Sequence, residues 1–221
     1  MPLGWLTVTV GLLLTSLAAN RLAPSAHLAI GLASVAALAA VARAAGLTAA
    51  ELGLTRWRSG LRWGAAPAAA VLLGYGAALL VARDQLASST GRSWPDVLVA
   101  ALVIVPLGTV LAEELAFRGV LWALLRRGPG VRAATAVSSV LFGLWHVLPA
   151  LGGGAANEVA TGALGGGPAG TLARVLGTVL LTTAAGAVFC WLRVRSGSLL
   201  APALLHWTLN GLGLLAVQLA R

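Results

Sequence analysis

The 221-residue chain is 59% hydrophobic, has a mean hydropathy of +0.92 and carries only 10% charged residues, a composition that excludes an ordinary soluble globular domain. Its formal charge of +9 comes from fifteen arginines and no lysine against six acids. The arginines gather at the ends of apolar runs, as in the connections of membrane proteins, and no aromatic-interleaved basic patch points to nucleic acid.

Apolar runs long enough to cross a bilayer are expected at about 3–20, 26–45, 63–82, 96–117, 133–150, 171–192 and 198–219. Residues 118–126 either extend the fourth run or form a short helix of their own. This predicts an all-α polytopic transmembrane helical bundle of about seven spans, six to eight being the range, in one integral membrane domain over 1–221. The first run has no basic residue ahead of it and reads as a membrane helix rather than a secretory signal. Breakers mark the connections: Pro24, the stretch from Arg56 to Arg62, Trp94-Pro95, Arg126 to Gly130, the glycine-rich 151–170, and Arg193 to Gly197. The glycine-rich segment lacks the Gly-Lys-Ser/Thr ending of a phosphate-binding loop and is expected to be a flexible outer loop, with Glu158 a solvated loop residue.

Alternate connections divide the arginines. Arg43, Arg56, Arg58, Arg62, Arg126, Arg127, Arg132, Arg193 and Arg195 fall on one side, and Arg21, Arg83, Arg92 and Arg221 on the other. The richer side is expected to be cytoplasmic, which places the N-terminus inside, and the arginine-only, Ala/Gly/Leu-rich composition suggests a bacterial plasma membrane. Cys190, the one cysteine, lies in an apolar run and is expected to pack there.

Two of the six acids, Glu113 and Glu114, stand side by side within the fourth run. A charge at the centre of a membrane helix costs roughly 2.5–3.5 kcal/mol on insertion scales, so a compensating partner is required. Arg118 is one turn beyond Glu114 and can pair with it. Glu113 then points about 100° away around the helix and is the carboxylate left for chemistry. The other polar groups deep in apolar runs are His146, in Phe142-Gly-Leu-Trp-His146, and the pair His206 and Asn210, whose spacing of four puts them on one helical face. Thr208 is expected to bond its own helix backbone, and His27 to sit at an interface. Brought together, Glu113, His146, His206 and Asn210 supply a base, a second base or orienting group, and hydrogen-bond donors, the set that amide hydrolysis needs. Glu113, His146 and His206 could also hold zinc, although no pair of histidines lies one turn apart.

The three motifs Glu113-Glu114-Leu-Ala-Phe-Arg118, Phe142-Gly-Leu-Trp-His146 and His206-Trp-Thr-Leu-Asn210, in that order on separate spans, resemble those of the CAAX protease and bacteriocin-processing (CPBP, or Abi) intramembrane proteases. The resemblance covers about residues 96–215, and Leu52-Gly53-Leu54 is similar to a segment that many bacterial members carry. It implies a glutamate-type endopeptidase with no obligatory cofactor, acting on membrane-associated proteins or peptides in the lipid bilayer. Glu113 and His146 would activate water, His206 and Asn210 would stabilise the oxyanion, and Glu114, Arg118 and Phe142 would organise the site. Two readings from other classes stay open at this point: a non-catalytic scaffold or bacteriocin-immunity factor using the same cavity, and a proton-coupled transporter, since buried Glu and His also mark proton relays.

Overall fold

The structure is a computed structural model that describes residues 2–81, 83, 92–152 and 155–221. Among these residues there is no strand, and seven helices are long and apolar enough to cross a membrane, in agreement with the sequence expectation. A helix satisfies its own backbone N–H and C=O groups, which is what a lipid environment demands of apolar segments of this length.

The helices are α1 (Pro2–Leu22), α2 (His27–Ala44), α3 (Ala49–Leu52), α4 (Trp57–Val81), α5 (Trp94–Arg126), α6 (Val131–Trp145), α7 (Val147–Leu151), α8 (Ala155–Leu164), α9 (Pro168–Ser196) and α10 (Leu200–Leu219). Residues 118–126 therefore continue the fourth span. The glycine-rich segment differs from expectation: Ala155 to Leu164 forms a helix, because this stretch holds Ala, Val and Leu between its glycine clusters. Gly153, Gly154 and the side chain of Glu158 lie outside the described residues.

Close helix contact is bought with small residues. A Cβ on Gly31 of α2 would collide with the backbone of Gly108 in α5, and one on Gly143 of α6 would collide with Thr183 of α9. The contact at Gly31 is what brings α2 against the helix that carries both glutamates. In α5 the winding is wider than α, with π-type turns over Ala100–Val110 and Leu115–Leu121, and Pro106 lies in the first of them. Only Leu111–Glu114 between them keeps α-helical winding, so the acidic pair sits where the helix changes its pitch.

The connections assigned to the arginine-rich side do lie together at one end. Arg127 donates from Nε and Nη2 to the Glu51 carboxylate at 2.7 and 2.8 Å, and also to the carbonyls of Ala45 and Gly46. Arg193 donates to the Glu51 carbonyl at 2.7 Å, and the Leu199 amide to that of Gly53 at 2.9 Å. Gly53, in the left-handed region at φ +80°, closes α3 with no side chain to obstruct the Arg193 guanidinium. At the other end Arg21 reaches the Leu148 carbonyl and Arg83 that of Ala220.

Candidate active site

Residues from α5, α6, α9 and α10 meet in the bundle interior around Arg118, the most deeply buried charged residue among those described, at 0% exposure. Its Nη1 donates to Glu114 Oε1 at 3.2 Å, the one-turn pair expected from spacing. Nε and Nη2 find no hydrogen-bond acceptor among the described residues. Aromatic faces take their place: the guanidinium carbon lies 4.0 Å from the ring centre of Phe142, 4.9 Å from that of Phe189 and 5.8 Å from that of Phe117. In a dry interior such contacts are worth about 2 kcal/mol or more, which explains how a cation is held here by a single carboxylate.

Glu114 Oε1 also lies 2.8 Å from Nδ1 of His206. A carboxylate already paired with arginine acts only as an acceptor, so this contact assigns the proton to Nδ1 and leaves a lone pair on Nε2 when the imidazole is neutral. Nε2 in turn faces Glu113, with Oε2 at 3.7 Å. The expected separation of the two glutamates is therefore incomplete: His206 spans the roughly 100° between them and touches each with a different ring nitrogen. Phe189 stacks on the imidazole at 5.0 Å and 24°, and Phe142 meets it edge-on at 5.8 Å, which fixes its plane.

Glu113 is less enclosed than Glu114, at 12% side-chain exposure against 2%. Its Oε1 accepts from the Trp145 indole N–H at 2.9 Å, while its Oε2 has no hydrogen-bond partner among the described residues. The carboxylates also border different cavities. Glu113, with Ser16, Ser34 and Trp145, borders one of about 20 Å³, room for a single water. Glu114 stands at an apolar cavity of about 730 Å³ between α2, α3, α5 and α10.

The remaining expected residues are placed as follows. His146 terminates α6, with Nδ1 2.7 Å from the Phe142 carbonyl and its ring edge-on to that of Phe142 at 4.7 Å, and among the described residues no hydrogen bond or ion pair joins it to Glu113. Phe142 thus links both histidines to Arg118. Asn210 is exposed on the π-type turn Thr208–Leu212, and none of the side-chain hydrogen bonds among the described residues joins it to Glu113 or His206. Thr208 bonds the Leu204 carbonyl at 2.8 Å, as expected of a helix hydroxyl. His27 is half-buried between Asn20 and Thr109, and Cys190 is free and buried. Among the described residues no three His, Cys, Asp or Glu side chains are grouped to hold a metal ion, the set Glu113, His146 and His206 included.

Two contributors escape the sequence reading. Trp145 could have been suspected, since an indole N–H in an apolar span needs an acceptor and Glu113 is one of few. Phe189 carries no such signal; it is one apolar residue in an apolar helix.

A family model described as Type II CAAX prenyl endopeptidase Rce1-like matches residues 94–212, more than half of the chain and all three motifs. No curated protein and no solved structure matches the chain.

Proposed function

Because the chain belongs to the Rce1-like family of type II CAAX prenyl endopeptidases, a family of intramembrane proteases, we propose that it hydrolyses peptide bonds of membrane-associated proteins or peptides with Glu113 as the general base. The observation that carries this reading is Oε2 of Glu113, which has no hydrogen-bond partner among the described residues and lies 3.7 Å from Nε2 of His206. A water seated between two acceptors directs one O–H at each. Its own lone pairs then point away from both, toward an incoming carbonyl carbon.

In the reaction Glu113 takes one proton as the water oxygen bonds to the carbonyl carbon, and returns it to the leaving amine as the C–N bond breaks. His206 Nε2 accepts the hydrogen bond of the second water proton and takes that proton from the nascent carboxylic acid as the amine leaves, later passing it to solvent; the oxyanion role that family likeness implies for His206 requires the imidazolium form, protonated from solvent before the water binds. Glu114 fixes the imidazole through Nδ1, and Arg118 with its phenylalanine enclosure fixes Glu114. Trp145 holds the other oxygen of Glu113. His146, shared through the Phe142 ring, and Asn210, on the exposed turn, are assigned as the second base and the second oxyanion donor on the resemblance of their motifs. The reading needs no metal: every step above uses a side chain of this protein.

The chain is an integral membrane protein, and its arginine-rich end is assigned to the cytoplasmic side of a bacterial plasma membrane, with the N-terminus inside. The test is cleavage of a membrane-associated peptide by the purified protein before and after chelation. Retained cleavage is expected. Loss on chelation that only zinc restores would reject the metal-free reaction, and no cleavage of membrane peptides would favour a scaffold or transporter.

A further inference from the structure

The small cavity beside Glu113 adjoins a second space. Between α1 and α2 lies a groove of about 270 Å³ bordered by Leu12, Ser16 and Ser34, three residues that also border the cavity of Glu113. The two serines are the polar part of this shared wall. Ser34 Oγ lies 2.9 Å from Ser16 Oγ and 2.8 Å from the Ile30 carbonyl oxygen. A hydroxyl has one proton, so Ser34 donates to only one of these acceptors at a time. When it donates to Ser16, the Ser16 O–H is free to donate elsewhere; when it turns back to Ile30, Ser16 can donate to Ser34. The pair thus has two hydrogen-bond arrangements, and one of them offers a donor to a water in the cavity of Glu113.

Polar groups continue from this pair toward the connection between α1 and α2. Asn20 donates from Nδ2 to the Ser16 carbonyl at 3.0 Å, its Oδ1 lies 2.6 Å from Nδ1 of His27, and Nε2 of His27 lies 2.8 Å from Thr109 Oγ1. Thr109 is one turn before Glu113 on α5. Three apolar spans therefore turn polar residues toward one column, a costly placement in lipid that calls for a use. By contrast, apart from Arg43 and Glu114, the larger cavity at Glu114 has only Ala, Val and Leu on its wall, and an apolar segment seated there would close it to water. Ser16 and Ser34 precede residues 94–212, so the family match and its motifs do not account for them.

We propose that water reaches Glu113 from the α1–α2 groove between Ser16 and Ser34, which pass it inward by exchanging hydrogen bonds and hold it in the cavity beside the carboxylate. Each hydrolysis consumes one water and returns a proton to solvent, so a site with an apolar substrate side needs such an entry. Ser16 and Ser34 are positioning residues that act through the water they deliver. The use of that water rests on the endopeptidase reading, whereas its entry does not require turnover.

Entry is measured on the full chain in phosphatidylcholine liposomes, as the rate at which aminoethyl methanethiosulfonate, a water-borne reagent that is attacked by thiolates, modifies single cysteine replacements. The buried Cys190 of the parent protein gives the background. Leu14, on the same span as Ser16, is 61% exposed and serves as the lipid-facing control. Ser16→Cys and Ser34→Cys are expected to react about tenfold faster than Leu14→Cys, because a thiol ionises in water and not in lipid. Catalysis is measured on Ser34→Thr and Ser34→Val, which share a shape and differ in the hydroxyl. The Val variant is expected to have a kcat about tenfold below that of the Thr variant with KM unchanged, the scale of one lost hydrogen bond. Ser16→Cys and Ser34→Cys that react no faster than Leu14→Cys overturn the proposal, as does an equal kcat for the Thr and Val variants. Should both variants at position 34 fail to fold, the labelling rates decide alone. Fast labelling in a protein that cleaves no membrane-associated peptide upholds the water entry and refutes the endopeptidase reading instead.

Discussion

At the scale of single residues, each charge in the site is tolerable only because of what faces it. Arg118 has one carboxylate and three aromatic rings, Glu114 has Arg118 and His206, and Glu113 has the Trp145 indole and the open side of His206. Replacing Arg118 with Met fills much the same volume but leaves Glu114 buried without its cation. Breaking a buried pair from one side costs about 3–5 kcal/mol, so Arg118→Met should sharply reduce the folded fraction in detergent, read as monodisperse protein after heating. Unchanged thermal resistance would mean that the pair contributes nothing to holding the bundle. The Glu114–Arg118 pair was legible from a spacing of four. The bridging by His206 was not, because it depends on how α10 is rotated against α5, and helical periodicity describes one helix at a time.

At the scale of elements, glycines set how closely the functional helices approach. Gly31→Ala would drive a methyl group into the Gly108 backbone of α5, and backbone cannot move aside as the end of a flexible side chain can. Overpacking of this kind costs about 1–3 kcal/mol. The expected outcome is a lowered midpoint of thermal unfolding, whereas Gly11→Ala, which meets nothing within 4 Å, should leave the midpoint unchanged. Equal midpoints for the two variants would remove Gly31 as a determinant of the α2–α5 contact. The existence of the spans could be read from apolar length alone, since lipid imposes it. Other features needed the coordinates. The π-type turns around Leu111–Glu114 leave no mark in composition, and α8 is masked in sequence by the glycines on both sides of it. The spacing of His206 and Asn210 fixes a shared face, but it did not fix a shared environment: the histidine is buried and the asparagine exposed.

At the scale of the whole molecule, four of the seven candidate spans among the described residues, α5, α6, α9 and α10, meet around a small polar interior, and the connections richest in arginine are tied together at one end through Glu51, Arg127 and Arg193. A cavity of about 730 Å³ reaches Glu114, while the pocket beside Glu113 has room for one water. The two carboxylates thus border separate cavities, with His206 between them. If Glu113 is the base and Glu114 its positioning partner, kcat for peptide cleavage in Glu113→Gln, compared with that of the parent protein alongside the unfolding midpoint of each, separates the two roles. Loss of a positioned base lowers kcat by about 10²–10⁴-fold. A loss of that size is expected with the midpoint unchanged, since Gln keeps the shape of Glu and can still accept from Trp145. Cleavage at the parent rate in folded Glu113→Gln protein would contradict it.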